Sequence, residues 1–145
     1  MNENKSIGRW ISVLHRLGQI YLDRELQPFN LSSGQIIFLL ALFKEDGVSQ
    51  EKLATFLCID KGTTARAIAK LEEAGFVNRQ NCPLDKRINK IFLTEKSLEI
   101  KPKLLKIINI WTTQLTKDFS EEEKGLILSL LNKMAYNAVD YLKRE

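Results

Sequence analysis

The stretch DKGTTARAIAKLEEAGFVNRQ, residues 60–80, decides the fold of this chain of 145 residues. Aspartate is favoured at the N-cap of a helix, and glycine is typical of the position just past a helix end, so Asp60 and Gly75 mark two boundaries. Between them the pattern predicts a helix over Lys61–Glu73. Its inner face is predicted to carry Ala65, Ile68 and Leu71.

The residues on either side of this helix complete a recognisable motif. Upstream, Ser49 is a good N-cap for a shorter helix that ends near residue 57. Downstream, β-branched and aromatic residues predict strands at 76–79 and 88–93, separated by turn-forming residues and a basic tip. Two short helices followed by a two-stranded hairpin form a winged helix-turn-helix, so we expect the second helix to enter the major groove of DNA.

The rest of the chain is predicted to be helical. Apolar residues recur at helical spacing over residues 6–27, 33–44, 95–118 and 121–143. The predicted fold class is therefore mainly α with a small β-hairpin wing, and it contains six helices. The terminal helices carry broad apolar faces that a second copy of the chain would cover, which predicts a homodimer; the alternative is a monomer whose helices fold back on themselves.

We interpret residues 1–145 as a single domain with two lobes. The winged helix-turn-helix lobe is expected over about 32–94. The dimerisation lobe is expected to combine about 6–30 with 95–145, which places dimerisation helices at both termini.

The outward residues of the second helix and of the wing tip are candidates for contacting DNA. Arg66 has a fork that can pair with both acceptors of guanine in the major groove, whereas Lys70 is expected to hold a phosphate. Arg87 is expected to enter the minor groove, steadied by Asp85. The full set of predicted DNA contacts is Lys61, Thr63, Thr64, Arg66, Lys70, Asp85, Lys86 and Arg87.

Charge and composition favour a polyanionic partner and argue against other classes. The net charge is +4, and residues 60–90 hold seven basic against four acidic side chains, an excess of three. Two cysteines and one histidine, His15, give neither a disulfide framework nor a metal cluster, and no nucleophile–base pair or phosphate loop indicates an enzyme or a cofactor. No signal peptide and no apolar run of roughly 18 residues is present, so no membrane association and a cytoplasmic location are expected.

The run quoted above, followed by PLDKRINKIFLTEKS at residues 83–97, resembles the MarR family of bacterial transcription regulators. The Asp85–Arg87 pair with Leu93-Thr94 six residues on is similar to the wing signature of that family. The resemblance implies a homodimer that binds pseudo-palindromic promoter DNA, often as a repressor released by a small phenolic or other ligand. It also implies that the wing residues Asp85 and Arg87 matter for DNA binding.

Some interpretations remain open at the level of sequence. Trp10 and His15 are candidates for contacting a small aromatic or amphipathic effector, although core or dimer packing is the favoured interpretation of Trp10 and a structural or solvated role that of His15. Cys58 is expected to be a small buried hydrophobe and Cys82 to be exposed or semi-exposed. Family members that sense peroxides carry the thiol near the start of the first helix, where this chain has none. The alternative function is a protein-interaction module that uses the winged fold without DNA.

Overall fold

Six α-helices and one small antiparallel sheet make up residues 5–143, the part of the chain that the computed structural model describes. The helices are α1 (Ile7–Leu26), α2 (Ser33–Lys44), α3 (Gln50–Leu57), α4 (Lys61–Glu73), α5 (Glu95–Leu115) and α6 (Glu121–Lys143). The strands are β1 (Val48–Ser49), β2 (Val77–Asn81) and β3 (Asn89–Leu93), and a short 3-10 helix, Gln27–Phe29, follows α1. The predicted winged helix-turn-helix order with six helices is confirmed.

The sheet has one strand more than the sequence predicted. Its order is β1-β3-β2, and β3 pairs antiparallel with both neighbours, Val48 facing Ile91 and Val77 facing Leu93. The Asp46 carboxylate fixes the approach to β1 because its Oδ1 accepts the backbone N–H of Leu93 at 2.8 Å. Strand β1 has only two residues, too few to show the alternation of apolar and polar residues that predicts a strand. Its partner β3 lies about 40 residues further along the chain, so only the β2–β3 hairpin could be predicted from the local sequence.

The core holds helix α4 in place. Ile68 and Leu71 of α4 are completely buried together with Phe38 and Leu39 of α2 and Phe76 next to β2. Full burial of a side chain of this size contributes about 1.5–3 kcal/mol. Helix α2 buries one side in this core while Ile37 stays 38% exposed, and the buried face of α4 packs against it.

Buried hydroxyl groups tie the wing to the start of α5. The Ser97 hydroxyl is fully buried and donates to the Phe76 carbonyl oxygen at 2.7 Å, while it accepts the Thr94 N–H at 3.1 Å. The Thr94 hydroxyl donates to the carbonyl oxygen of Gly75 at 2.7 Å. Gly75 itself has a φ of +83°, the left-handed conformation that lets the chain leave α4, so its predicted role as the helix stop is confirmed.

The chain divides into two compact units, one ending at Ile108 and the other beginning at Asn109. The second unit contains the end of α5 and all of α6. Ser120 Oγ accepts the Glu123 N–H at 3.1 Å and Glu123 Oε1 accepts the Ser120 N–H at 3.0 Å, which forms a capping box at the start of α6. Large apolar side chains along α6 remain exposed.

Candidate nucleic-acid interface

The exposed start of α4 carries an ordered group of polar side chains. Asp60 is the N-cap, and its Oδ1 accepts the Thr63 N–H at 2.8 Å. The Thr63 hydroxyl donates to Asp60 Oδ2 at 2.7 Å, and its oxygen accepts from Arg66 Nη2 at 3.2 Å. The backbone N–H of Thr63, then its hydroxyl, and more weakly the charge of Arg66 hold the pKa of Asp60 below its ordinary value. Arg66 and Thr63 are both exposed, as the sequence predicted.

Gly62 leaves room for the arginine. A Cβ at this position would lie 3.3 Å from Arg66 Nη1 and 3.4 Å from Asp60 Oδ1, so the guanidinium group passes close over the glycine backbone. In the structure the group that comes close is the side chain of Arg66.

Thr64 does not face outward, and the prediction that its side chain lies on the DNA-facing surface of α4 is wrong. The residue is 0% exposed and its Oγ1 is buried without a hydrogen-bond partner. The reason is the helical spacing: Thr64, Ile68 and Leu71 stand at i, i+4 and i+7 and so share the buried face. Ala65, which was predicted on the inner face, is only half-buried.

The two lysines of α4 lie in different surroundings. Lys61 at the start of the helix is 3.8 Å from Glu51 of α3, and both side chains are exposed. Lys70 near the other end is also exposed, but it lines an open polar groove of about 720 Å³ with Asp23 and Gln27. The structure therefore places Lys61 at the start of α4 and Lys70 near its opposite end.

The wing tip contains the expected contact between Asp85 and Arg87. Arg87 Nε donates to Asp85 Oδ1 at 3.0 Å and Arg87 Nη2 donates to Oδ2 at 2.9 Å, a two-point contact. The Arg87 side chain nevertheless stays 90% exposed. The side chain of Arg87, then its backbone N–H, lowers the pKa of Asp85. Lys86 is exposed beside this pair, so the tip presents two cations, of which one is held in a fixed direction.

A cavity of about 250 Å³ lies between α3, the start of α4 and the base of the wing. It brings Lys61 and Arg87 to one opening, together with residues that were not predicted as part of the site. One of these is Gln50, whose Oε1 is buried without a hydrogen-bond partner. The sequence gives no signal for Gln50, because a glutamine at a helix start is ordinary. The full lining is Ser49, Gln50, Glu51, Ala54, Lys61, Thr64, Arg87, Ile88 and Asn89.

The remaining candidate residues lie on the surface. Trp10 is 45% exposed, with the guanidinium carbon of Arg9 4.8 Å from the ring centroid, and His15 is exposed on the same helix. Cys82 is half-buried, as expected. Cys58 is exposed, so the prediction of a buried thiol is wrong. It caps α3 with a φ of +55°, and this left-handed turn directs its side chain away from the core.

Comparison with known proteins identifies the family of this chain. The model of the MarR family matches residues 31–88. The chain is 35% identical to the HTH-type transcriptional regulator YybA of Bacillus subtilis (strain 168), over 89% of this chain and 86% of the relative. The chain belongs to the MarR family. Members of the MarR family are DNA-binding transcription regulators and not enzymes, so this chain is a transcriptional regulator.

Solved MarR structures share its fold. A MarR transcriptional regulator from Methanosarcina mazei Go1 is 42% identical with a TM-score of 0.88, covering 93% of this chain and 97% of its own. A MarR family transcriptional regulator from Listeria monocytogenes, solved in complex with 26mer DNA, is 30% identical with a TM-score of 0.90, covering 97% and 96%. The α4 and wing geometry thus belongs to a fold that has been observed on DNA.

Other site types find no support in the described residues. Within residues 5–143 no group of three or more histidine, cysteine, aspartate or glutamate side chains could hold a metal ion. Over the same residues no single helix is long and apolar enough to cross a membrane. Only α1 and α2 together, bent by 77° at their junction, reach the required length and hydropathy, and α2 lies in the core.

Proposed function

We propose that this MarR family chain is a homodimeric, sequence-specific repressor that binds a pseudo-palindromic promoter site and releases it when a small aromatic or amphipathic effector binds. The observation that carries the proposal is that two exposed arginines, Arg66 on α4 and Arg87 on the wing, are each hydrogen-bonded by a neighbouring side chain. Arg66 is held at the exposed end of a helix whose other face is buried, and Arg87 is held by Asp85 at the tip of the wing.

These two arginines suit different grooves. The start of α4 would enter the major groove, where the fork of Arg66 can bind both acceptors on guanine. The wing tip would reach the adjacent minor groove, whose negative potential attracts Arg87. Lys61, Lys70 and Lys86 are exposed cations that would bind phosphates and set the position of the protein without reading sequence. The DNA complex of the Listeria relative supports this use of the fold.

Exposed apolar side chains support the homodimer. Ile7 and Ile20 of α1 are each more than three-fifths exposed, and Tyr136 of α6 is 73% exposed. Apolar side chains repeated along two long helices are a poor surface for a lone chain in water. A second copy would cover them in a two-fold interface and would set the spacing of the two α4 helices, roughly 34 Å for one turn of DNA.

The effector part of the proposal concerns α1. Trp10 offers an aromatic face and His15 an exposed imidazole ring on the same helix, and both groups can contact a ligand that combines a ring with a polar group. If α1 belongs to the dimer interface, a ligand bound beside it would change the distance between the two DNA-reading surfaces. DNA binding in a promoter would place the protein in the cytoplasm with the chromosome.

Selection of genomic DNA fragments by the purified full chain tests the proposal. We expect the selected fragments to contain an inverted repeat whose half-sites are centred about 10 base pairs apart or a multiple of that distance. Sedimentation should give two chains per bound duplex. Fragments without symmetry, or one chain per duplex, would exclude the dimeric reading mode. Repeating the selection with a panel of phenolic carboxylates tests release by an effector.

A further inference from the structure

Asp60 is the N-cap of α4, at the point where the proposed DNA-reading helix begins. We propose that Asp60 is a positioning residue that raises the DNA specificity of this chain by holding Arg66 against the first turn of α4. The inference rests on the DNA-binding function proposed above and adds a residue that need not touch DNA. It concerns the ratio of specific to non-specific binding and leaves the choice of operator to the contacting residues.

The hydrogen bonds around Thr63 have a defined direction. A hydroxyl group has one proton, and Thr63 donates that proton to Asp60 Oδ2 at 2.7 Å. Its oxygen therefore has only lone pairs to offer on the other side, where Arg66 Nη2 donates to it at 3.2 Å. Since the second oxygen of Asp60 is fixed by the Thr63 N–H at 2.8 Å, the carboxylate cannot rotate freely. The carboxylate thus sets the orientation of the hydroxyl, and the hydroxyl receives the guanidinium.

Gly62 completes the arrangement from below. A Cβ at this position would lie 3.3 Å from Arg66 Nη1, slightly closer than an ordinary contact, and 3.4 Å from Asp60 Oδ1. The absence of a Cβ lets Arg66 lie back over the helix start. The guanidinium is therefore hydrogen-bonded to Thr63 and lies close over the backbone at Gly62 before any DNA arrives.

The charge of Asp60 has an opposite effect on binding to arbitrary DNA. Asp60 is exposed at the surface that would face the phosphates, and a negative charge there opposes the electrostatic attraction that dominates non-specific binding. Orienting Arg66, by contrast, favours the one base edge that its fork fits. The carboxylate of Asp60 thus lowers the affinity for DNA of any sequence through its charge. By orienting Arg66 it also favours the sequence that places a guanine at the fork of this arginine.

The test measures affinity for two DNA samples of about 26 base pairs: a duplex that the unaltered full chain selects from a random pool, and the unselected random pool itself. The specificity ratio is the affinity for the selected duplex divided by the affinity for the pool. The variant is Asp60→Asn, because asparagine caps a helix as well as aspartate does and the fold should be kept. We expect affinity for the pool to rise about twofold to fivefold, by loss of a repelling charge. Affinity for the selected duplex should fall, so that the specificity ratio drops about tenfold, within the range that one bidentate base contact supplies.

Two further variants separate positioning from charge and from capping. Thr63→Val interrupts the connection but keeps the carboxylate, so the ratio should drop without a rise in pool affinity. Glu73→Gln makes the same change of charge at the other end of α4, and its ratio should equal that of the unaltered chain. The thermal unfolding midpoint of Asp60→Asn should stay unchanged, because asparagine also caps the helix. A drop in the specificity ratio at unchanged stability would then show that Asp60 does more than cap α4.

The proposal is overturned if the ratio of Asp60→Asn stays within twofold of the unaltered chain while Arg66→Ala lowers it strongly. In that case Arg66 reads DNA without help from Asp60, and the proposed function stands. If the unaltered chain binds neither duplex, the proposed function fails and this inference fails with it. The two failures are therefore distinguished by the unaltered chain alone.

Discussion

Replacing Thr64 by valine is expected to stabilise the protein, although the residue lies in the recognition helix. Thr64 is 0% exposed and its Oγ1 has no hydrogen-bond partner. A buried polar group without a partner costs about 1–3 kcal/mol. Valine has nearly the same shape, so the substitution removes the hydroxyl without opening a cavity.

The size of the gain follows from the terms that change. Threonine and valine have similar helix propensities, so the backbone of α4 contributes almost nothing to the difference. What remains is the relieved cost of the hydroxyl, which we take at the lower end as about 1 kcal/mol. For a chain of this length that gain raises the unfolding midpoint by about 2–4 °C.

Urea unfolding at one fixed chain concentration measures this gain, and binding to a selected duplex measures function. Affinity should stay within twofold of the unaltered chain. Thr63→Val is the matched control, because the Thr63 hydroxyl is exposed and bonded, and no gain in stability is expected there. A loss of 1 kcal/mol or more in Thr64→Val would refute the reasoning. A tenfold loss of affinity would show that this side chain reaches DNA after all.

Three further substitutions test the wing, the core and a helix cap. Arg87→Lys keeps the charge but loses the two-point contact with Asp85, so affinity for a selected duplex should fall about tenfold while the urea midpoint stays unchanged; equal affinity in a gel shift would argue against a directed arginine. Ile68→Ala should lower the free energy of unfolding by about 2–5 kcal/mol in urea, because Ile68 is fully buried on the inner face of α4, and a loss below about 1 kcal/mol would contradict that burial. The hydrogen bonds with Ser120 lower the pKa of Glu123, so the stability that they contribute is present above the unfolded pKa of about 4.3 and is lost as pH falls through the folded pKa. Glu123→Gln should therefore lose less stability than the unaltered chain between about pH 5 and pH 3, in acid titrations followed by circular dichroism. Identical curves would show these hydrogen bonds to be unimportant.

Elements with a cap and a stop could be predicted closely from the sequence. The bounds of α4 follow from Asp60 and Gly75, and the capping box at Ser120 gives the start of α6. Both signals are local, because a cap bonds to an N–H three residues away. Strand β1 had no such signal, since its two residues are ordered by pairing with β3 on the far side of the motif.

The candidate site shows the same division between local and distant causes. The contact of Asp85 with Arg87 spans two residues and could be expected from the turn. Thr64 was wrongly predicted to be exposed because a polar side chain in an amphipathic helix suggests contact with solvent. Its spacing relative to Ile68 and Leu71 instead puts it on the buried face of α4. The connection from Asp60 through Thr63 to Arg66 depends on rotamers, which the sequence pattern does not specify.

The start of α4 and the wing tip together form the proposed DNA-reading surface. The most direct measurement is the affinity of the full chain for a selected duplex across a series of salt concentrations, with Arg66→Ala, Arg87→Ala and the control Lys103→Ala on α5. We predict a steep fall of affinity with salt, with about −0.9 in log–log slope for each phosphate bound, and a loss of about tenfold or more in each arginine variant. If both arginine variants bind within twofold of the unaltered chain and of the Lys103→Ala control, this surface does not read DNA.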